Sequence, residues 1–342
     1  GVEQVGLERQ LGVGEQDRQL RRGQALAGVE PVVHLGAARE ELQLAVELAA
    51  RGDGHGRGLG QNGAFDYAKQ GWTAEQILAH YYDGATLGTL PESKIAVRLQ
   101  GRDDKTLDVY SDVGASVAGQ ALGPGEAAHL TPTPGGANVT ITSGCNGAVV
   151  WEGTTDNPWV DPVDAGSGRP VEEHLMFCDD NRGYRGALGV ALEGNAFRTV
   201  NFLDIEDYLL GVVPLEMQPG WADQGAAEAL RAQAVAARSY SASEERYAYA
   251  QTCDTTACQM YGGSDVEDDR TSDAVRTTAG AVLMDGGEIL HAEYSASSDR
   301  DGMAEDALAE APPIVPGVEA SPEDFPQLTL DEDTAAPVIE LP

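Results

Sequence analysis

One carboxylate in this 342-residue chain stands out by its company. In the run NFLDIEDYLLGVVPLEMQPGW, residues 201–221, Glu216 lies between Pro214 and Pro219, beside Leu215, Met217 and Trp221. Apolar neighbours strip water from a carboxylate and raise its pKa, which suits an acid that must deliver a proton near neutral pH. With 56 acidic residues in the chain, the competing reading is an ordinary surface glutamate. Pro214 stops a preceding helix and puts Glu216 on the turn before a long one, a frequent seat of function.

The composition narrows the partners. Only 22 basic residues face the 56 acidic ones, for a formal charge of −34, so phosphate backbones and anionic membrane surfaces repel the chain. Nucleic acid is therefore not an expected partner. No apolar run reaches the roughly 18 residues that a membrane span needs. The sequence opens at Gly1 without the basic and apolar pattern of a signal peptide, as in a processed chain or a fragment. An apolar fraction of 42 % supports a real core, and the length suits two packed units. The cysteines, Cys145, Cys178, Cys253 and Cys258, are even in number and form no Cys-x-x-Cys pair. That favours disulfides and an exported protein, with Cys253–Cys258 and Cys145–Cys178 as the expected pairs and free buried thiols as the alternative.

The elements that must position these groups follow from periodicity. Residues 1–50 use a narrow alphabet with no turn or strand logic before AAREELQLAVELAARG; they read as an artefact of a shifted frame and carry no assigned function. Thr73 and Gln76 form a capping box ahead of a helix with Ile77, Leu78 and Tyr81 as its apolar stripe, ended by Gly84. Short β-branched runs make residues 95–153 β-rich, and a Gly/Pro/Asp-rich linker covers 154–170. A helix over 204–212 and a long Ala-rich helix over 222–249 follow, then one over 268–278 and a hairpin turning at Asp285–Gly286–Gly287. In the long helix, Ala226, Ala227, Ala234 and Ala237 leave room for close packing. From Asp299 the chain holds 12 acids and one Arg, the composition of a disordered tail.

Four ordered runs, DIEDYLLGVVPLEM, ALRAQAVAARSY, CDTTACQMYGG and AEYSASS, closely resemble the stage II sporulation protein D/amidase-enhancer family (the SpoIID/LytB domain). The run GHGRGLGQNGAFDYAKQGWTAEQILAHYYDGATL resembles another segment common in that family, where it often lies on the C-terminal side. The resemblance covers roughly 54–87 and 184–298. It implies an α+β fold, with a helical glycan-active unit bearing β-hairpins over 171–298, the family's Gly-rich motif over 51–90, and an inserted β-rich module.

The resemblance also implies peptidoglycan glycan strands as target, and for some members lytic transglycosylase activity on strands stripped of stem peptides. In others it implies a non-catalytic, glycan-binding enhancer of a wall amidase, so a cell-wall amidase is a possible partner. No cofactor is expected, and the site is extracytoplasmic. The family's catalytic glutamate falls on Glu216. A lone glutamate suffices for a transglycosylase because the sugar's own 6-hydroxyl replaces the second carboxylate of ordinary glycosidases. Gln233 and Tyr240 are candidates to hydrogen-bond the sugar. Arg238 either pairs with the lactyl carboxylate of muramic acid or makes a structural ion pair. Glu206 and Asp207 read as structural. His55 and Gln61, in the Gly-rich run, are further glycan-contact candidates, as are Ser295 and Ser297. Relatives often have His at Ala257, where a Cys/His set can hold zinc; its loss here makes a disulfide the better reading of CDTTAC. Relatives continue with Gly-Gly beyond Ser298, whereas this chain reads Asp299-Arg300-Asp301, a departure that puts one wall of the cleft in doubt.

Overall fold

The computed structural model describes residues 55–301 and the strand at 316–319. The expectations for residues 1–50, and for most of the acidic tail, lie outside the described residues. The described chain is a mixed α+β fold in which helices α1 (Gln61–Lys69), α2 (Ala74–Tyr81), α3 (Ile205–Glu216), α4 (Ala227–Ala242) and α5 (Asp269–Thr277) pack beside four sheets.

The 95–153 region is not a separate module. Its Lys94–Arg98 strand lies between Ala196–Asp204 and Thr252–Cys253, in a seven-stranded sheet that continues through Ala187–Glu193, Trp159–Pro162, Ala115–Val117 and Gln120–Leu122. Its Leu107–Tyr110, Glu126–Thr133, Gly136–Ser143 and Val149–Thr155 strands join Leu175–Phe177 and Gly183–Tyr184 in a six-stranded sheet. One apolar cluster runs from Leu107, Leu130 and Val139 through Leu188 and Leu203 to Tyr208 and Val212 of α3, so no boundary divides these parts. The 154–170 stretch is likewise no simple linker. Trp159–Pro162 pairs on both sides, and buried Trp159 lies against Gly189, where a Cβ would come within 2.3 Å of the indole ring. Pro162, with no N–H to give, stands at the strand's last position, where the ladder asks least of it.

Local signals account for most helix ends. Thr73 caps α2 with the reciprocal Gln76 bond, and Asp268 caps α5 by accepting from the Arg270 N–H. The hairpin closes over Gly286–Gly287, with Asp285 opposite Glu288. Both of these glycines have φ values in the left-handed region, as a two-residue turn requires. Three expectations need correction. Helix α3 runs through Pro214 to Glu216: proline forfeits one hydrogen bond near the helix end, but the Met217 N–H still reaches the Val213 carbonyl. The Ala-rich segment is one helix only over Ala227–Ala242, preceded by a 3₁₀ stretch at Pro219–Gln224 and a left-handed Gly225. The tail supplies the Pro316–Glu319 strand, which pairs parallel to Thr86–Thr89.

Helix α4 is the hub. Thirteen of its sixteen residues are buried, and alanines at 229, 232, 234, 236 and 237 let α1, α2, α3 and α5 pack against it. No helix among the described residues is long and apolar enough to cross a membrane.

Candidate functional site

Glu216 ends α3 and is half-buried, desolvated but reachable. Of its two adjacent residues, one is buried and one exposed. Met217 turns into the core beneath α4, while Leu215 is exposed and lies over Gly262. The neighbours that matter come from elsewhere in the sequence. The Met260 N–H donates to Glu216 Oε1 at 2.8 Å, and the side chains of Gln61 and Tyr294 face the carboxyl. Burial pushes the Glu216 pKa above the ordinary glutamate value, and the donors from Met260, Gln61 and Tyr294 offset only part of that rise. The Tyr294 hydroxyl is near enough to favour the carboxylate but makes no hydrogen bond of regular geometry. Burial, with Glu216 beside it, drives the Tyr294 pKa well up, so this hydroxyl stays protonated.

The loop that supplies the Met260 N–H is anchored at each residue. Gln259, fully buried, accepts from the Tyr208 hydroxyl at 3.1 Å and donates to the Ala237 carbonyl of α4 at 3.1 Å. The Tyr261 hydroxyl donates to buried Asn201 at 2.8 Å, and the Gly262 N–H to the Gly211 carbonyl of α3 at 3.2 Å. A Cβ at Gly211 would come within 2.6 Å of both the Gly263 carbonyl and the Tyr261 ring, so only glycine lets the loop lie this close to α3. Upstream, Cys253 and Cys258 are disulfide-bonded and thus not free to ligate a metal, and Cys145–Cys178 is the second bridge, both as expected. Asp254 and Thr255 bind Gln100 through the Asp254 carboxylate and the Thr255 hydroxyl, which ties the loop to the seven-stranded sheet.

Replacing Cys253 and Cys258 together by Ser is expected to cost about 2 kcal/mol of stability, the loop-closure contribution of so short a ring. Hydrogen exchange at the Met260 amide should accelerate. Unchanged protection there would mean that Gln259 and Tyr261 hold the loop unaided.

The Gly-rich run brings Gln61 to the site. The Leu59–Gly60 strand pairs parallel with Tyr294–Ser295, and the Glu293 carbonyl accepts from the Leu59 N–H and the Tyr82 hydroxyl. Gly58 has a left-handed φ of 67°, and a Cβ there would sit 1.7 Å from that carbonyl. Gln61 opens α1 and donates to Gln233 Oε1 at 3.5 Å; the Gln233 Nε2 is buried with no hydrogen-bond partner among the described residues.

The other sequence candidates divide. Arg238 is fully buried, with Nε and Nη2 on Glu206 at 2.7 and 2.6 Å and Nη1 on the Ala281 carbonyl at 3.0 Å, the geometry of a structural ion pair. Glu206 thereby joins α3, α4 and the Gly280 N–H, and Asp207 accepts from the Gly168 N–H. Tyr240 borders the site through its ring, 6.1 Å from that of Tyr294. The Ser295 hydroxyl is used locally, donating to the Ser297 carbonyl. His55 is exposed at the edge of the described chain and accepts from the Arg57 N–H. The Asp299-Arg300-Asp301 stretch, where this chain departs from the family pattern, packs back onto α1 and α2. Asp301 accepts from the Tyr81 hydroxyl at 2.6 Å and the Ser298 N–H at 2.8 Å, seated against Gly60 and Gly63. Sequence reading missed Tyr294, Met260 and Gln259, although the two motifs that hold them were recognised.

The class defined by this fold and site is an α+β protein with one desolvated glutamic acid at a helix end, held by a backbone N–H from a cross-linked loop. Residues 193–284 match the family model described as SpoIID, stage II sporulation protein, so the chain carries a SpoIID domain there. It is 42 % identical over 90 residues to a Bacillus subtilis protein described as amidase enhancer, covering 26 % of this chain and 12 % of that protein. It is 32 % identical over 141 residues to an uncharacterized protein of Brachyspira hyodysenteriae, covering 40 % of this chain and 37 % of the other. The chain thus spans well under half the length of either curated relative. No solved structure gives a significant match.

Proposed function

We propose that this protein acts outside the cytoplasm on peptidoglycan, cleaving peptide-free glycan strands with Glu216 as sole general acid and base. The observation that carries this reading is the Glu216 carboxyl itself, protonated more readily than an exposed glutamate and steadied by the Met260 N–H. No other carboxylate is among the groups that shift its pKa, which fits a reaction needing one acid, not two. Glu216 protonates the glycosidic oxygen as the bond to the anomeric carbon breaks. The carboxylate so formed accepts the proton of the sugar's 6-hydroxyl as that oxygen closes onto the same carbon. The products are a free reducing-side strand and a 1,6-anhydro end, with no water consumed. Mass spectrometry of peptide-free strands after incubation tests this: 1,6-anhydro ends are expected.

The similarity to a protein described as amidase enhancer supports a second reading, a glycan-binding partner of a wall amidase. That reading expects strands bound but intact, with amidase turnover raised when the two proteins are mixed.

The raised Glu216 pKa sets a pH signature. Cleavage should fall as pH rises through the folded-state value, above the ordinary 4.5. The linkage has the same sign: a folded pKa above the unfolded one gives stability that is full below the unfolded value and lost as pH rises through the folded value. Glu216→Gln, neutral throughout, should therefore gain in melting temperature over wild type as pH rises across that window. A constant difference would show that Glu216 ionises as freely folded as unfolded.

A further inference from the structure

Next to Tyr294, through the Tyr240 ring, lies a second cluster that the cleavage chemistry does not use. Glu244 is only 5 % exposed, and it accepts from Arg246 Nε and from the Thr252 hydroxyl at 3.1 Å. Arg246 is also held by Nη2 donating to the Tyr240 hydroxyl at 2.9 Å. Its Nη1 makes no hydrogen bond among the described residues, and its side chain is 35 % exposed. His291 stacks on Tyr240 with ring centroids 4.4 Å apart, its Nε2 4.0 Å from Glu244, and is also open to solvent. The Tyr240 ring links this cluster to the Glu216 site, 6.1 Å from the ring of Tyr294, whose hydroxyl faces Glu216.

We infer that Arg246, oriented by Glu244 and Tyr240 and joined by His291, is the subsite that receives a carboxylate carried by the glycan beside the cleavage position. This rests on the glycan reading above and names the residue that reads the free lactyl carboxylate of a peptide-free strand. A chain of charge −34 repels an anionic polymer, so recognition needs a local cation with donors to spare. Arg238, on α4, is spent inside the fold. Glu244 holds Nε and Tyr240 holds Nη2, so the guanidinium fork is fixed in place with Nη1 left for a carboxylate. Because its fixed partners are side chains of the protein itself, the fork is oriented before the ligand arrives, and less freedom is lost on binding.

The test compares peptide-free glycan strands with the same strands after their carboxylates have been converted to neutral amides. Wild-type protein should bind the acid form about tenfold more tightly, and Arg246→Gln should abolish that preference. If Arg246→Gln alone unfolds because Glu244 is stranded, Glu244→Gln/Arg246→Gln removes the charge pair together and serves in its place. A preference that survives in the variant, or equal binding of both strands by wild type, overturns the carboxylate subsite and leaves the cleavage reading standing. Binding of neither strand by wild type overturns the glycan reading, and this inference with it.

Discussion

Glu216→Gln is expected to reduce glycan-strand cleavage by about a thousandfold, within the usual range for loss of a general acid, while the fold stays intact. The amide is isosteric, and its oxygen can still accept from the Met260 N–H, so the cross-linked loop keeps its place. What is lost is the transferable proton. The tyrosines beside it cannot substitute, because burial holds Tyr208 and Tyr294 protonated far above neutral pH. Initial rates of anhydro-end formation, with binding measured on the same samples, separate the two functional readings. A fall in rate at unchanged affinity belongs to the acid/base role. A fall of less than tenfold, with strands still bound, would assign Glu216 to contact and favour the enhancer reading.

The second large effect is on stability. Arg238→Ala should cost about 3–5 kcal/mol, the range for stripping one member from a buried pair. The guanidinium is wholly enclosed and satisfies both Glu206 oxygens together with the Ala281 and Val275 carbonyls, so its removal leaves several acceptors unpaired at once. Glu206 keeps partial access to solvent, which tempers its own share. A denaturant titration measures the loss directly. Undiminished stability with weakened glycan affinity would instead restore the ligand-contact role weighed from the sequence.

What the sequence disclosed depended on how far apart the interacting residues lie. The capping box at Thr73, the hairpin at Gly286–Gly287 and the Cys253–Cys258 bridge are local chemistry, and each is present as expected. Glu216 was legible from its apolar company, but the polar groups that face it, Met260, Gln61 and Tyr294, were not. Nothing in a linear pattern brings those three positions together. The same limit hid the unity of the sheets, since β-rich composition at 95–153 says nothing about the Ala196–Asp204 partner that Lys94–Arg98 finds. Helix α3 outran Pro214 because its buried face, from Tyr208 to Val213, outweighs one missing hydrogen bond. Arg238 shows the reverse case, where equal readings were resolved only by the ion pair with Glu206.

The parallel pairing of Leu59–Gly60 with Tyr294–Ser295 has a consequence for how this protein is made. During synthesis the Gln61 segment emerges early, yet its partner strand lies more than two hundred residues later, so the cleft is among the last parts to close. Until then Glu216 sits on α3 without Tyr294 and without the strand that sets Gln61 beside it. A nascent or clipped chain ending near residue 284, the limit of the stretch that matches SpoIID, would keep the glutamate but lack Tyr294 and the strand that brings Gln61 beside it. The surroundings of Glu216 are thus assembled only once the chain has been made through Tyr294 and Ser295.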